Sequence, residues 1–224
     1  EYILIMTYLE AVNKVLRRLR EPEVGSVDET VYSKLIGEFV NDAKSLVQNA
    51  WSWSGNIQQT LKLGTSLTDF TIPNSTVNTQ VRSVRNIDTK ANLKRLEYTN
   101  YRDLFIDNVL VPTVGPQPEF YATQFDFTTD SQKVYFWPPT EGTKTFYLNV
   151  RWDNRGDDVL TDSSILSVPS LPVVQFAHAM AVEERGETGG TTPATLFSIA
   201  KSSLSDAIAY DAVASPSATT WVDV

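Results

Sequence analysis

The sequence predicts an α+β protein: a helical bundle built from an N-terminal and a C-terminal helix pair, with an antiparallel β-rich domain inserted between them. Three observations carry this. Apolar residues recur at helical spacing over the first fifty residues and again after Pro172. Between about Asn56 and Arg155 the period drops to that of strands, with Pro, Gly, Asn and Asp as punctuation. Each helical stretch also carries start or stop signals. The expected domains are 1–55 with 171–214 for the bundle, 56–170 for the β-rich part with a short helix near 99–109, and 215–224 as an extended tail.

The elements follow in order. Thr7-Tyr8-Leu9-Glu10 has capping-box spacing, and Leu9, Val12, Leu16 and Leu19 form the stripe of a first helix that Pro22 ends. Lys14, Arg17, Arg18 and Arg20 crowd its last turns, where cations suit the helix dipole; they read as a solvated face or as a dock for an acidic partner. Ser26-Val27-Asp28-Glu29 repeats the box and opens a second helix with Val31, Leu35, Phe39, Leu46 and Val47 on its stripe. Trp51 and Trp53 close that helix as a structural plug.

Strands are expected at 60–64, 69–72, 80–87, 119–127, 133–137 and 145–152. In the last of these Phe146, Leu148 and Val150 alternate with Tyr147, Asn149 and Arg151. Thr99 caps a short helix that turns Leu104, Phe105 and Val109 inward, and the proline-rich stretch 111–118 is a loop. The acidic stretch 153–170 is a loop as well. Pro172 sits in the first turn of a third helix that Gly186 stops. Gly189-Gly190-Thr191 is an elbow, and Thr192-Pro193, a cap and a first-turn proline, opens a fourth helix. Leu196, Ile199, Ala200, Leu204, Ala207 and Ile208 mark its apolar face. The segment after Ala214 is a tail, and its Trp221 is an aromatic in want of a docking site.

Composition narrows the function classes. The chain has 224 residues, 42% of them hydrophobic, and a formal net charge of −8. A chain of this length buries roughly 70–75% of its unfolded surface, enough for a full core. It contains no cysteine, which excludes disulfides, thiol catalysis and cysteine–zinc sites. The acidic charge argues against a sequence-reading duplex-DNA binder, although an acidic channel wall would let DNA slide past. No apolar run is long enough to span a membrane, and Tyr2–Met6 lacks the basic flank and cleavage site of a signal peptide.

Catalytic chemistry has little to work with. His178 is the one histidine, set among Phe176, Ala177, Ala179 and Met180, and reads as structural. Glu183 and Glu184 point in different directions from one helix, and the 153–162 acidic cluster lacks calcium-loop spacing. A glycosidase pair has only these weak candidates. Neither cofactor nor metal is expected. Arg82, Arg85, Lys90, Lys94, Arg95 and Arg102, with Tyr98 and Tyr101 interleaved, form one basic neighbourhood. It is a candidate for nucleic acid, but on an acidic protein such a patch more often meets an acidic neighbouring subunit.

Several motifs, in order along nearly the whole chain, resemble one family. They are Ala11-Val12-Asn13-x-x-Leu16-x-x-Leu19-Arg20-Glu21-Pro22-x-Val24, the helix ending in Trp51-x-Trp53, Tyr135-Phe136-Trp137-Pro138-Pro139, Tyr147-Leu148-x-Val150-Arg151-Trp152, and Leu171-Pro172 leading to Ala181-x-x-x-Arg185-Gly186-Glu187. The family is the head-to-tail adaptors of short-tailed phages, of the tail tubular protein A type. In it the first helix ends in a Gly-Glu-Pro-Pro-Val-like turn; Arg20 stands here for the glycine and Glu23 for the second proline.

The resemblance implies a non-enzymatic virion protein, assembled in the host cytoplasm into a dodecameric ring below the portal. Such a ring extends the DNA channel, meets the tail nozzle and offers a surface to tail fibres. On that reading Trp221, Val222 and Val224 are candidate portal contacts, and Arg17, Arg18, Arg82, Arg85, Lys94 and Arg95 are candidate inter-subunit contacts. The alternative from another class is a carbohydrate-binding β-module with a helical oligomerisation domain, using Trp137 and Trp152 as sugar platforms.

Overall fold

A computed structural model describes residues 6–64, 68–110, 115, 117–139, 146–153, 158–186 and 192–214, without the side chains of 63, 64, 105–110 and 146. The fold is mixed α+β, with five α-helices and two sheets among these residues. The chain divides into two compact units, Glu1–Asn56 with Asp157–Val224, and Ile57–Gly156.

In the first unit α1 (Tyr8–Arg18) starts at the expected box: Thr7 Oγ1 accepts from Glu10 N–H at 3.3 Å, and Thr7 N–H donates to Glu10 Oε2 at 2.8 Å. The helix closes with a Schellman turn. Arg20 N–H donates to the Arg17 carbonyl, Glu21 N–H donates to the Leu16 carbonyl, and Arg20 itself is left-handed at φ 59°. Helix α2 (Val31–Ala50) begins later than expected. Ser26 caps only a 3-10 turn over Val27–Glu29, while Thr30 and Ser33 form the box that starts the long helix. The Glu29 carboxylate accepts instead from Gly25 N–H at 2.6 Å.

Helix α4 (Ser170–Arg185) carries Pro172 in its first turn and ends at Gly186, φ 63°. Helix α5 (Pro193–Ala214) begins where Thr192 Oγ1 accepts from Thr195 N–H. The core of this unit joins Ala11, Val12, Val15 and Leu16 of α1 to Ile36, Val40 and Val47 of α2 and Val173, Val174 and Ala177 of α4.

Residues 158–169, expected with the β-rich part, belong to this core instead. Val159, Leu166 and Val168 are buried in it. Asn41 brackets Val159 with hydrogen bonds of 2.8 and 3.0 Å, and Asp162 Oδ1 accepts from Val27 N–H. Three apolar residues spaced through an acidic run outweigh its polar average, because burial scales with the area each one hides.

Burial also sets a pH limit. The Tyr8 hydroxyl is pushed up to about 12 by desolvation, helped by the charges of Asp28, Glu38, Asp158 and Asp162. A phenol whose folded pKa is raised contributes stability that is complete below the unfolded value of 10.0 and is lost as pH rises through 12. Thermal melts from pH 9 to 12 are expected to show a falling Tm that Tyr8→Phe flattens; equal slopes in both proteins would contradict this assignment.

The second unit has a three-stranded sheet, β1 (Ile57–Gly64), β7 (Phe146–Asp153) and β3 (Gln80–Asn86), in the order β1-β7-β3. Its four-stranded sheet runs β2 (Asp69–Thr71), β6 (Ser131–Trp137), β5 (Phe120–Asp126), β4 (Lys94–Arg95). Both sheets contribute to one core, which includes Phe70, Val84, Val134, Phe136, Leu148, Val150 and Trp152. The domain is not purely antiparallel, because β4 pairs with β5 in parallel. Strand β4 was not expected at all: two charged residues show no alternation to read.

Helix α3 (Tyr98–Leu110) covers β5 and β6 through Tyr101 and Leu104, which join a second cluster with Ala122 and Trp137. Thr99 lies inside α3 rather than capping it, and Phe105 and Val109 fall outside the described side chains. The loop at 111–118 and the elbow at 189–191 lie largely or wholly outside the described residues.

Candidate interaction surfaces

The candidate inter-subunit residues form two sets, one on each unit. On the helical unit, Arg17 is already paired within its own chain: Nη2 stands 2.7 Å from Glu23 Oε1 and Nε donates to the same oxygen. The pair is exposed, so it contributes at most about 1 kcal/mol. Arg18, one residue on, points elsewhere and lines a groove among α1, α4 and α5. Desolvation there holds its guanidinium below the usual arginine range.

On the β-rich unit, the backbone brings Arg82, Arg85, Lys94 and Arg95 onto one ribbon. Strand β3 leaves the three-stranded sheet, turns through 87–91, and returns with Asn92 bridged to Arg85 and Leu93 N–H donating to the Val84 carbonyl, before becoming β4 of the other sheet. Val84 and Leu93 are buried, and the alternation turns Arg85, Asn92 and Lys94 to solvent.

Arg82 behaves differently. It is the extra residue of a bulge between Val81 and Ser83, and its Nη2 lies 2.8 Å from Oδ2 of Asp153, a carboxylate only 1% exposed. Arg85 Nε donates to the Lys90 carbonyl at 3.3 Å, and Arg95 Nη2 reaches Thr123 Oγ1 at 3.5 Å. Trp221, Val222 and Val224 lie outside the described residues.

The aromatic candidates separate by burial. Trp137 is 8% and Trp152 2% exposed, and Trp137 stands edge-on to Tyr101 at 6.4 Å. Neither face is open to stack on a sugar. Trp53, 3% exposed, is the expected plug, its indole donating to the Val47 carbonyl at 2.9 Å. Trp51 is not part of it. It stands at the surface and donates to Asp211 Oδ2 at 2.9 Å, while Asp211 also accepts from the amide and hydroxyl of Ser54. One carboxylate on α5 thus ties down the end of α2. His178 is half-buried on α4. Among the described residues no cluster of His, Asp and Glu forms a metal site, and no helix is long and apolar enough to cross a membrane.

A contact that sequence reasoning missed joins two distant motifs. Arg185 Nη2 lies 2.6 Å from Glu21 Oε1, Arg185 Nε donates to the Tyr32 hydroxyl at 2.6 Å, and the guanidinium sits 4.7 Å over the Tyr32 ring. The ends of α1 and α4 are thereby held to α2. Nothing in residue spacing signals a pairing across so long a stretch of chain. Compared with known families and with curated proteins, the chain matches no family model and no curated sequence.

Proposed function

We propose that the chain is a head-to-tail adaptor of a short-tailed phage: a helical bundle carrying an inserted β-rich domain, assembled as a dodecameric ring between portal and tail nozzle. The observation that carries this reading is the Glu21–Arg185 pair. Glu21 belongs to the Leu19-Arg20-Glu21-Pro22 motif and Arg185 to the Ala181–Glu187 motif, the two most distant pieces of the resemblance, and they meet at 2.6 Å. Motif residues that meet in space act as one structural unit.

A second support lies at Arg20. The resemblance puts glycine there, and the residue is left-handed, the conformation glycine adopts without steric cost. Arg20→Gly is therefore expected to raise stability by about 0.5–1 kcal/mol, read as a higher urea midpoint at unchanged slope. A loss of stability would show that the Arg20 side chain carries weight the turn does not explain.

In the ring, the ribbon cations Arg85, Lys94 and Arg95 face the acidic surface of the neighbouring copy, and DNA passes through the channel without being read. Arg17 and Arg82 are largely satisfied within their own chain. The tail, with Trp221, Val222 and Val224, anchors the portal, and the nozzle and tail fibres meet the β-rich domain. Deleting 215–224 should abolish attachment of the protein to portal rings in pull-down; attachment at the unmodified level would overturn the anchor role.

A further inference from the structure

The groove on the helical unit has a volume of about 690 Å³ and no described occupant. An apolar strip runs through it, from Pro172 and Val174 of α4 to Ile199 and Tyr210 of α5, beside polar residues such as Ser202 and Ser203, and Leu171, Ile199 and Tyr210 are exposed along it. Its α1 side carries Lys14 and Arg18, neither of which has an ion-pair partner among the described residues. The Oε1 atom of Gln175, which also lines the groove, is buried without a hydrogen-bond partner. An apolar trough with two unpaired cations on one side and a spare acceptor inside fits a short peptide with a large apolar side chain, an N–H donor and an acid.

We infer that the occupant is the chain's own segment Trp221-Val222-Asp223-Val224. It supplies each requirement: an indole whose N–H needs an acceptor such as Gln175 Oε1, two valines for the apolar wall, and Asp223 for Lys14 and Arg18. The geometry permits it. Helix α5 ends at Ala214, next to the Tyr210 end of the groove, and the seven residues from Ser215 to Trp221 reach up to about 23 Å. The groove wall from Ile199 to Tyr210 runs only about 16 Å along the helix. Asp206 and Asp211 line the α5 side, so Asp223 turns toward α1. The inference stands apart from the adaptor reading, since it concerns the free chain.

The absence of cysteine makes the test direct. A spin label on Ser217→Cys in the full-length chain is expected to broaden the amide signals of Leu171, Ile199 and Ser203. Broadening should be lost in Trp221→Ala and in Lys14→Glu/Arg18→Glu, with the remaining spectrum unchanged. Ile199→Glu, at an exposed position, is the second groove variant and should release the tail equally. Three results would each overturn the inference: no broadening at the groove in the parent chain, broadening that survives Trp221→Ala or Ile199→Glu, or broadening of an isotope-labelled chain by a spin-labelled second chain, which would make the occupant another copy. None of these outcomes depends on portal binding.

Discussion

Replacing Gly37 by alanine should destabilise the helical unit by roughly 1–3 kcal/mol, although alanine is the better helix former by about 1 kcal/mol. Gly37 lies on α2 where α1 crosses it. A Cβ built there would fall well inside van der Waals contact of the Tyr8 hydroxyl and 2.9 Å from a methyl group of Val27. Tyr8 is buried and its ring is rigid, so the overlap is relieved only by moving the first turn of α1 or the 3-10 turn carrying Val27. Urea unfolding measures the loss. The double variant Tyr8→Phe/Gly37→Ala should recover part of it by removing the clashing oxygen, and a purely additive cycle would place the strain elsewhere.

Arg82→Ala has a comparable effect on the β-rich unit, an expected loss of about 2–3 kcal/mol. Asp153 is almost wholly buried, and removing Arg82 takes the ion-pair partner from a desolvated charge. The arginine is about one-third exposed, which keeps the figure below the 3–5 kcal/mol seen for fully buried pairs. The bulge at Arg82 gives the pair its geometry by re-aiming one side chain, while β3 stays paired with β7 on either side with its register shifted by one residue. Arg82 therefore acts as a staple between strands, whereas Arg85→Ala and Lys94→Ala should leave the unfolding free energy within about 0.5 kcal/mol of the parent. Equal losses at all three positions would contradict this division of labour.

Local grammar carried most of the element boundaries. The Thr7–Glu10 box, the first-turn Pro172, Gly186 and the Thr192-Pro193 start were legible because each acts within one turn of itself: the threonines accept from free N–H groups, the prolines lack an N–H where none is needed, and Gly186 takes the left-handed φ. Among the described strands, all but β4 were legible from their β-prone, partly alternating runs. The second capping box was misplaced because Ser26 and Thr30 both offer cap chemistry four residues apart, and only the packing of Val27 into the core favours the later start. The candidate surfaces were less legible. Basic residues announce themselves in a sequence, but whether Arg17 meets Glu23, Arg82 meets Asp153 or Arg18 faces a groove depends on bulges and turns that no periodicity encodes. The groove is a property of three helices at once. Its one sequence signal was the aromatic tail, singled out as needing a docking site.

The adaptor reading is tested most directly by sedimentation velocity of the purified chain, alone and mixed with purified portal rings of a short-tailed phage. The protomer, 25.0 kDa, is expected to convert into a dodecamer bound to portal. Unchanged masses for both components, at protein concentrations well above the micromolar range, would contradict it.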